Sequence, residues 1–402
     1  MKILIVHRYF WPDQANCGQI LWQIAKHYQS EGHKVDILTS LPSRNYYSNK
    51  IQAKKNEINE NIRISRINLP IESGKPYLRI LNAIKLGFKT NFMAIRHNYD
   101  VIISSSVPPI LGGFFSAVAS KITKTKFIYF CMDLYPETGK VFGDFSNLIF
   151  YKFLEKIDSW SCNQADSIIV HSTDMKNTLE SRKNCKKLKI DIINNFAVPA
   201  ENNNNSDFLF KKNEKNKLTI IFAGNLGRFQ GLDSIVEAMS LIKDRKDIEL
   251  VIIGDGSAKK ELQKLAKKKE ANINFFDYQP IKVVKKAILE ADIGLVTLKP
   301  TVFKYAYPGK IMTYLEQGRP FITTIEEESE LVKKMNLEGY GFNVNILDID
   351  KIANLFIKLA DDFNWKIIMN KNAKISYEKS FSKKKILNKW SEILHSIKDS
   401  KY

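Results

Sequence analysis

Cysteine is scarce in this chain of 402 residues, and its four copies follow no ligand spacing. Cys17, Cys131, Cys162 and Cys185 form neither a C-x-x-C pair nor a metal-ligand pattern, which speaks against a disulfide scaffold and a structural zinc site. They read as reduced thiols of a cytoplasmic protein, with Cys131 buried in a strand. Also missing is G-x-G-x-x-G behind the first apolar run, which disfavours a nicotinamide dehydrogenase. One stretch has the length of a membrane span: "VIISSSVPPILGGFFSAVAS", 101–120, is uncharged over 20 residues. Its serines, Pro-Pro and Gly-Gly predict strand, loop and helix rather than a bilayer span. The opening "MKILIVHRYF" is too short and wrongly flanked for a signal peptide and reads as a first strand. Acid is in deficit: 62 Lys+Arg stand against 43 Asp+Glu, a net charge of +19, and both halves are basic. That excess suits phosphorylated small molecules, anionic membranes or nucleic acid. A lysine- and asparagine-rich composition also follows from a biased genome.

What is present is alternation. β-branched apolar runs at 2–6, 34–39, 100–104, 126–132, 167–172 and 190–194 are separated by 3.6-period stretches. After a polar, Asn- and Lys-rich break at 199–217, the series restarts at 218–224, 248–254, 273–277, 292–298 and 320–324. Strand–helix alternation in two series predicts two doubly wound parallel-sheet α/β domains, 1–198 and 218–379, joined by a linker at 199–217. Ile386, Leu387, Trp390, Ile393, Leu394 and Ile397 share one face of a terminal amphipathic helix within 380–402.

Ligands of such sheets bind beyond the carboxyl ends of the strands, so the candidates are residues that follow strands. Gly18 opens the first helix, either as an anion contact or as a turn glycine. "DLYPETGK" brings Asp133 and Glu137 out of a strand end, for sugar hydroxyls or proton transfer, or else as a helix cap and a surface acid. Asn225, Gly227, Arg228 and Gly231 precede a helix as a diphosphate cradle. Asp255-Gly256 makes a tight turn suited to a base or ribose. In "KYAYPGKIMTYLEQGRPFITT", 304–324, Pro308, Gly309 and Lys310 open a helix whose free N–H groups and positive end, with the lysine charge, suit a departing nucleoside diphosphate. A solvated first-turn lysine is the plainer reading of Lys310. "DID", 348–350, resembles a divalent-metal motif but precedes a helical pattern, so N-capping is expected and no metal.

Taken in order, "HRYFWPD", "EGHKVDILTSLPS", "SSSVPPILG", "DLYPE", "FAGNLGRFQGLD", "IIGDGS" and "PGKIMTYLEQGRP" resemble the retaining GT-B-fold glycosyltransferases of family 4. The likeness is to the branch that builds capsule, O-antigen and colanic-acid-type polysaccharides, including fucosamine-type transferases. It implies two Rossmann-like domains facing a cleft, a final helix crossing back to the N-terminal domain, and a hexosyl transfer without metal or other cofactor. The donor implied is a UDP-sugar (an N-acetylated amino sugar or a deoxy sugar) held mainly by the C-terminal domain. The acceptor implied is a lipid-diphosphate-linked saccharide against the N-terminal one. Gly227 and Arg228 match the family's diphosphate motif, but its downstream lysine is replaced by Gln230-Gly231. The family's two glutamates fall on Tyr305 and Thr313, counting back from Gly318. Tyr305, Tyr307 and Thr313 are therefore placed with the donor, with Lys310 supplying part of the phosphate grip. Glu327 falls near the family's donor-sugar turn. Asp133, Glu137, Arg228 and Lys310 are the catalytic candidates.

Segment 77–97 carries apolar residues at 77, 80, 81, 84, 88, 92 and 95, with Arg79, Lys85, Lys89 and Arg96 and no acid. It reads either as a basic amphipathic helix lying on an anionic membrane or as a core-packed helix with a solvated basic face. The first reading makes the protein cytoplasmic and peripherally bound to the inner face of the cell membrane. A UDP-sugar 2-epimerase of similar two-domain fold is the competing enzyme. A nucleic-acid-binding protein is a distant third, because no RRM, KH, OB or helix-turn-helix signature appears.

Overall fold

The computed structural model describes residues 1–13, 16–43, 53–72, 75–141, 143, 145, 147–200 and 217–399. The chain divides into two units. One comprises Met1–Asn194, Tyr305–Tyr307 and the tail from Lys384; the other comprises Asn195–Lys304 and Pro308–Lys383. The anticipated boundaries at 198 and 380 thus fall at 194 and 384. Most of the anticipated linker lies outside the described residues.

The first unit is built on β1 (Lys2–Val6), β2 (Lys34–Ser40), β3 (Asn56–Asn59), β4 (Ile62–Ile67), β5 (Val101–Ser105), β6 (Lys126–Phe130), β7 (Ser167–Val170) and β8 (Ile190–Ile192). They form one sheet in the order β3-β4-β2-β1-β5-β6-β7-β8, parallel except for the β3–β4 hairpin. β1, β2, β5, β6 and β7 are buried almost throughout. That explains their continuous apolar runs: parallel strands covered on both faces have no polar side. The β3–β4 hairpin escaped the sequence reading because it alternates polar and apolar residues. Its turn is marked by positive φ at Glu60 and Asn61 (48° and 62°), the geometry of a tight two-residue hairpin. Segment 101–120 resolves into β5, a loop and the helix Leu111–Thr123. The last helix, Lys383–Asp399, packs on this sheet: Trp390 stands edge-on to Phe130 at 5.1 Å, and the Tyr28 hydroxyl donates to the Trp390 carbonyl at 3.0 Å.

The second unit has β9 (Leu218–Ala223), β10 (Ile248–Ile253), β11 (Ile273–Phe276), β12 (Ile293–Thr297), β13 (Phe321–Thr324) and β14 (Gly341–Asn343). All are parallel, in the order β11-β10-β9-β12-β13-β14. A core of Ile220, Phe222, Ile235, Leu250, Ile252, Leu295 and Phe356 fills one face of this sheet. The chain runs outward from β9 to β11, then returns to β12 beside β9. The β9/β12 junction is therefore the point where strand order reverses, and loops leaving adjacent strands there diverge to leave a crevice.

Candidate functional site

At the β9/β12 junction the loop after β9 lies directly on the loop after β10. Gly224 N–H donates to Ile253 O at 2.9 Å, Leu226 N–H to Asp255 O at 2.9 Å, and Ala258 N–H to Leu226 O at 3.0 Å. Gly254 permits this approach. Its φ is +153°, and a Cβ there would sit 1.9 Å from the Gly224 carbonyl oxygen. Any side chain would push the two loops apart.

Into this junction comes Lys310. Its ammonium donates to Gln230 Oε1 at 2.9 Å and lies 3.4 Å from the centre of the Phe222 ring. Gly224 (φ +146°) leaves room for it: a Cβ on Gly224 would touch Lys310 Cε at 3.4 Å. The lysine is half-buried, and no carboxylate among the described residues forms an ion pair with it. Desolvation alone pushes its pKa well below that of a free lysine. Gln230 is buried at the end of the 3-10 turn Arg228–Gln230. Its backbone carbonyl accepts from Thr297 Oγ1 at 2.6 Å, and Thr297 Oγ1 in turn accepts from Thr324 Oγ1 at 2.8 Å. The carboxyl ends of β12 and β13 are thus tied through two threonine hydroxyls to the residue that holds Lys310. A cation held by a neutral amide beside Gly224, with no carboxylate paired to it among the described residues, is equipped to receive an anion.

The other candidates in this unit distribute around that centre. Asn225 and Arg228 are exposed on the same loop, and Gly227 is half-buried. Asp255 is exposed, and its carboxylate accepts the Gly256 N–H at 2.8 Å, fixing the turn. Pro308 and Gly309 lead into the helix Lys310–Glu316, with Thr313 half-buried one turn on; Glu327 is exposed beyond β13. One expectation is corrected here. The helix has only seven residues and its Ile311 N–H already donates to Pro308 O at 3.3 Å. The positive character therefore comes from the Lys310 side chain more than from the helix end. Asp348 is also corrected: it occupies the N-cap position of the helix Ile349–Asp361 but makes no side-chain cap, pairing instead with Lys351 at 3.0 Å. Gln230, Thr297 and Thr324 were missed by the sequence reading. The available signal was a threonine at the carboxyl end of two successive strands.

Tyr305 and Tyr307 belong to the first unit, where they pack against the core around Cys131 and Leu134. Tyr305 O accepts the Leu134 N–H at 2.8 Å, and Ala306 bridges to Asp133. Desolvation there raises the Asp133 pKa to about 6. Glu137 is neither a surface acid nor a carboxylate available for chemistry. It is buried, and Arg182 engages both its oxygens at 2.8 and 2.7 Å while donating to Asp158 Oδ2 at 2.7 Å. Tyr129 OH donates to the remaining Asp158 oxygen at 2.8 Å, completing a satisfied internal network. Gly18 is a packing glycine: a Cβ there would lie 2.5 Å from Tyr9 O. The strand-order reversal of this sheet, between β1 and β5, carries His7, whose Nδ1 lies 2.5 Å from Ser105 Oγ. The sequence reading did not single it out.

Two family descriptions match this chain: "Glycosyltransferase Family 4" over residues 18–200 and "Glycosyl transferases group 1" over residues 217–362. Among curated proteins it is 25% identical over 270 residues to "Probable glycosyltransferase WbjE" of Pseudomonas aeruginosa, covering 65% of this chain and 66% of that one. Its fold matches HepE of Anabaena, solved in complex with UDP-glucose, with a TM-score of 0.72 at 16% identity over 98% of this chain and 100% of that one. WaaG, a glycosyltransferase involved in lipopolysaccharide biosynthesis, matches with a TM-score of 0.68 at 11% identity over 97% and 99%. The two glycosyltransferase descriptions fall one on each parallel-sheet unit, and the structural matches along almost the whole length show that the chain has the GT-B fold.

Proposed function

We propose that this protein transfers a hexosyl group, with retention and without a metal, from a UDP-sugar to a lipid-linked saccharide during bacterial surface-polysaccharide synthesis. The observation that carries the donor half is the Lys310 ammonium, held by the neutral Gln230 amide in a glycine-lined junction and paired with no carboxylate among the described residues. Such a cation meets the charge that develops on a leaving diphosphate, with Arg228 on the same loop adding a second. UDP as the base is supported by the fold shared with HepE, which was solved with UDP-glucose; a polysaccharide product is supported by WaaG. In the retaining mechanism the leaving diphosphate itself takes the acceptor proton.

The acceptor half rests on the helix Pro76–His97. Its inward residues include Ala83, Leu86, Gly87, Met93 and Ala94, whereas Tyr77, Ile80, Leu81, Phe88, Phe92 and Ile95 all point to solvent. The helix packs into the core through Leu86, Met93 and Ala94, and it carries a second, exposed apolar face. Lys89 and Arg96 lie over the Phe92 ring at 4.9 and 6.0 Å, so base and apolar surface are interleaved, as binding to an anionic bilayer interface requires. No helix among the described residues is long and apolar enough to cross a membrane. This surface also favours a transferase over a UDP-sugar 2-epimerase, which has no membrane acceptor to reach; a free epimer accumulating without acceptor would reverse that choice. The test of the donor is thermal denaturation against UDP, GDP, ADP, CMP and dTDP in EDTA. UDP alone should stabilise, and Lys310→Ala should abolish the shift. Equal shifts with every nucleotide, or none with any, would reject the reading.

A further inference from the structure

We infer that Gln230 is a positioning residue that aims the Lys310 side chain at a ligand by anchoring its terminal nitrogen with an uncharged acceptor. The inference rests on reading the β9/β12 junction as a diphosphate site. An ammonium only donates hydrogen bonds, so the 2.9 Å contact fixes the amide with Oε1 toward Lys310. The amide cannot rotate away freely. Gln230 is buried, its own carbonyl is locked by Thr297, and it is followed by Gly231, which has φ +65° and whose Cβ would strike Ile346 Cδ1 at 2.4 Å. The backbone at 230 is therefore fixed, and only the chemistry of the side-chain terminus is open to choice. A carboxylate of the same shape would pair with Lys310 and leave the junction neutral to an incoming anion. A lysine would repel Lys310. The neutral amide is the one isostere that orients the cation without neutralising it. Desolvation of that cation, which lowers its proton affinity, is then relieved by the anion.

The test is titration calorimetry of UDP into the full chain, for wild type, Gln230→Glu, Gln230→Ala and Lys310→Ala, at a series of pH values up to the ordinary lysine value of 10.5 in buffers of different ionisation enthalpy. Wild type should take up protons on binding UDP within that series, because the lowered pKa leaves Lys310 partly neutral before the anion arrives. Gln230→Glu should fold at least as stably as wild type, bind UDP about 10- to 100-fold more weakly and lose the proton uptake. Gln230→Ala should bind more weakly but keep the uptake, because the cation is loosened without being neutralised. If Gln230→Glu binds UDP as tightly as wild type with the same uptake, while Lys310→Ala does not bind, the inference falls and the diphosphate reading stands. If wild type binds no UDP, both fall. Should Gln230→Glu unfold, Gln230→Ala decides alone: wild-type affinity in that variant overturns the role.

Discussion

At the scale of single residues, the protein separates two kinds of buried charge. Lys310 has an amide partner and, among the described residues, no acid, whereas Arg182 is saturated by Glu137, Asp158 and the Tyr135 carbonyl. Glu137→Ala leaves Arg182 paired with Asp158 but removes two of its buried hydrogen bonds, and should destabilise the protein by about 1–3 kcal/mol in urea unfolding. A catalytic Glu137 would instead give a stable, inactive variant. Lys310→Ala should lower kcat by about 10²-fold, the loss typical of one transition-state donor; unchanged turnover at saturating donor contradicts it. The pH behaviour has a definite sign. The folded-state pKa of Lys310 lies below the ordinary value of 10.5, so in that window the folded protein binds fewer protons than the unfolded chain. Apo stability therefore rises with pH through the window, and Lys310→Met should remove that rise, as pH-dependent melting would show. Lys310, Gly227 and Arg228 could be set in one post-strand series from the sequence because each follows a readable strand end. The sequence could not reveal Gln230 or Arg182, whose roles depend on partners 80 and 45 positions away.

At the scale of elements, legibility followed burial. Every strand covered on both faces was read from its apolar run. The β3–β4 hairpin and the three-residue β14 were not, because one is half-polar and the other too short for a pattern. The helix Pro76–His97 shows where periodicity runs out: it marks an apolar face but not which side that face is on. Here Ala83, Gly87 and Ala94 face the protein together with Leu86 and Met93, and a Cβ on Gly87 would overlap the Phe115 ring at 2.2 Å, while Phe88, Phe92 and Ile95 stay exposed. Phe88→Asp with Phe92→Asp should leave the melting temperature within a few degrees of wild type, since both side chains are exposed. The double variant should lose flotation with anionic vesicles. Retained flotation would remove this helix from the membrane account.

At the scale of the whole molecule, the double series of strands made the two-sheet architecture legible, and the resemblance implied a tail helix that crosses back. The assignment of Tyr305–Tyr307 to the first unit was not legible, because nothing in a three-residue stretch signals which sheet it will join. The +19 net charge is shared by both units and so identifies no site by itself; the proposed donor site rests instead on the arrangement at the β9/β12 junction. The central claim is that this junction holds UDP. Hydrogen exchange followed by mass spectrometry, with and without UDP in EDTA, tests it most directly. The account predicts slowed exchange in peptides covering 222–231, 254–258 and 308–316, and loss of that protection in Lys310→Ala. Protection confined to other segments, or unchanged exchange at saturating UDP, would contradict it.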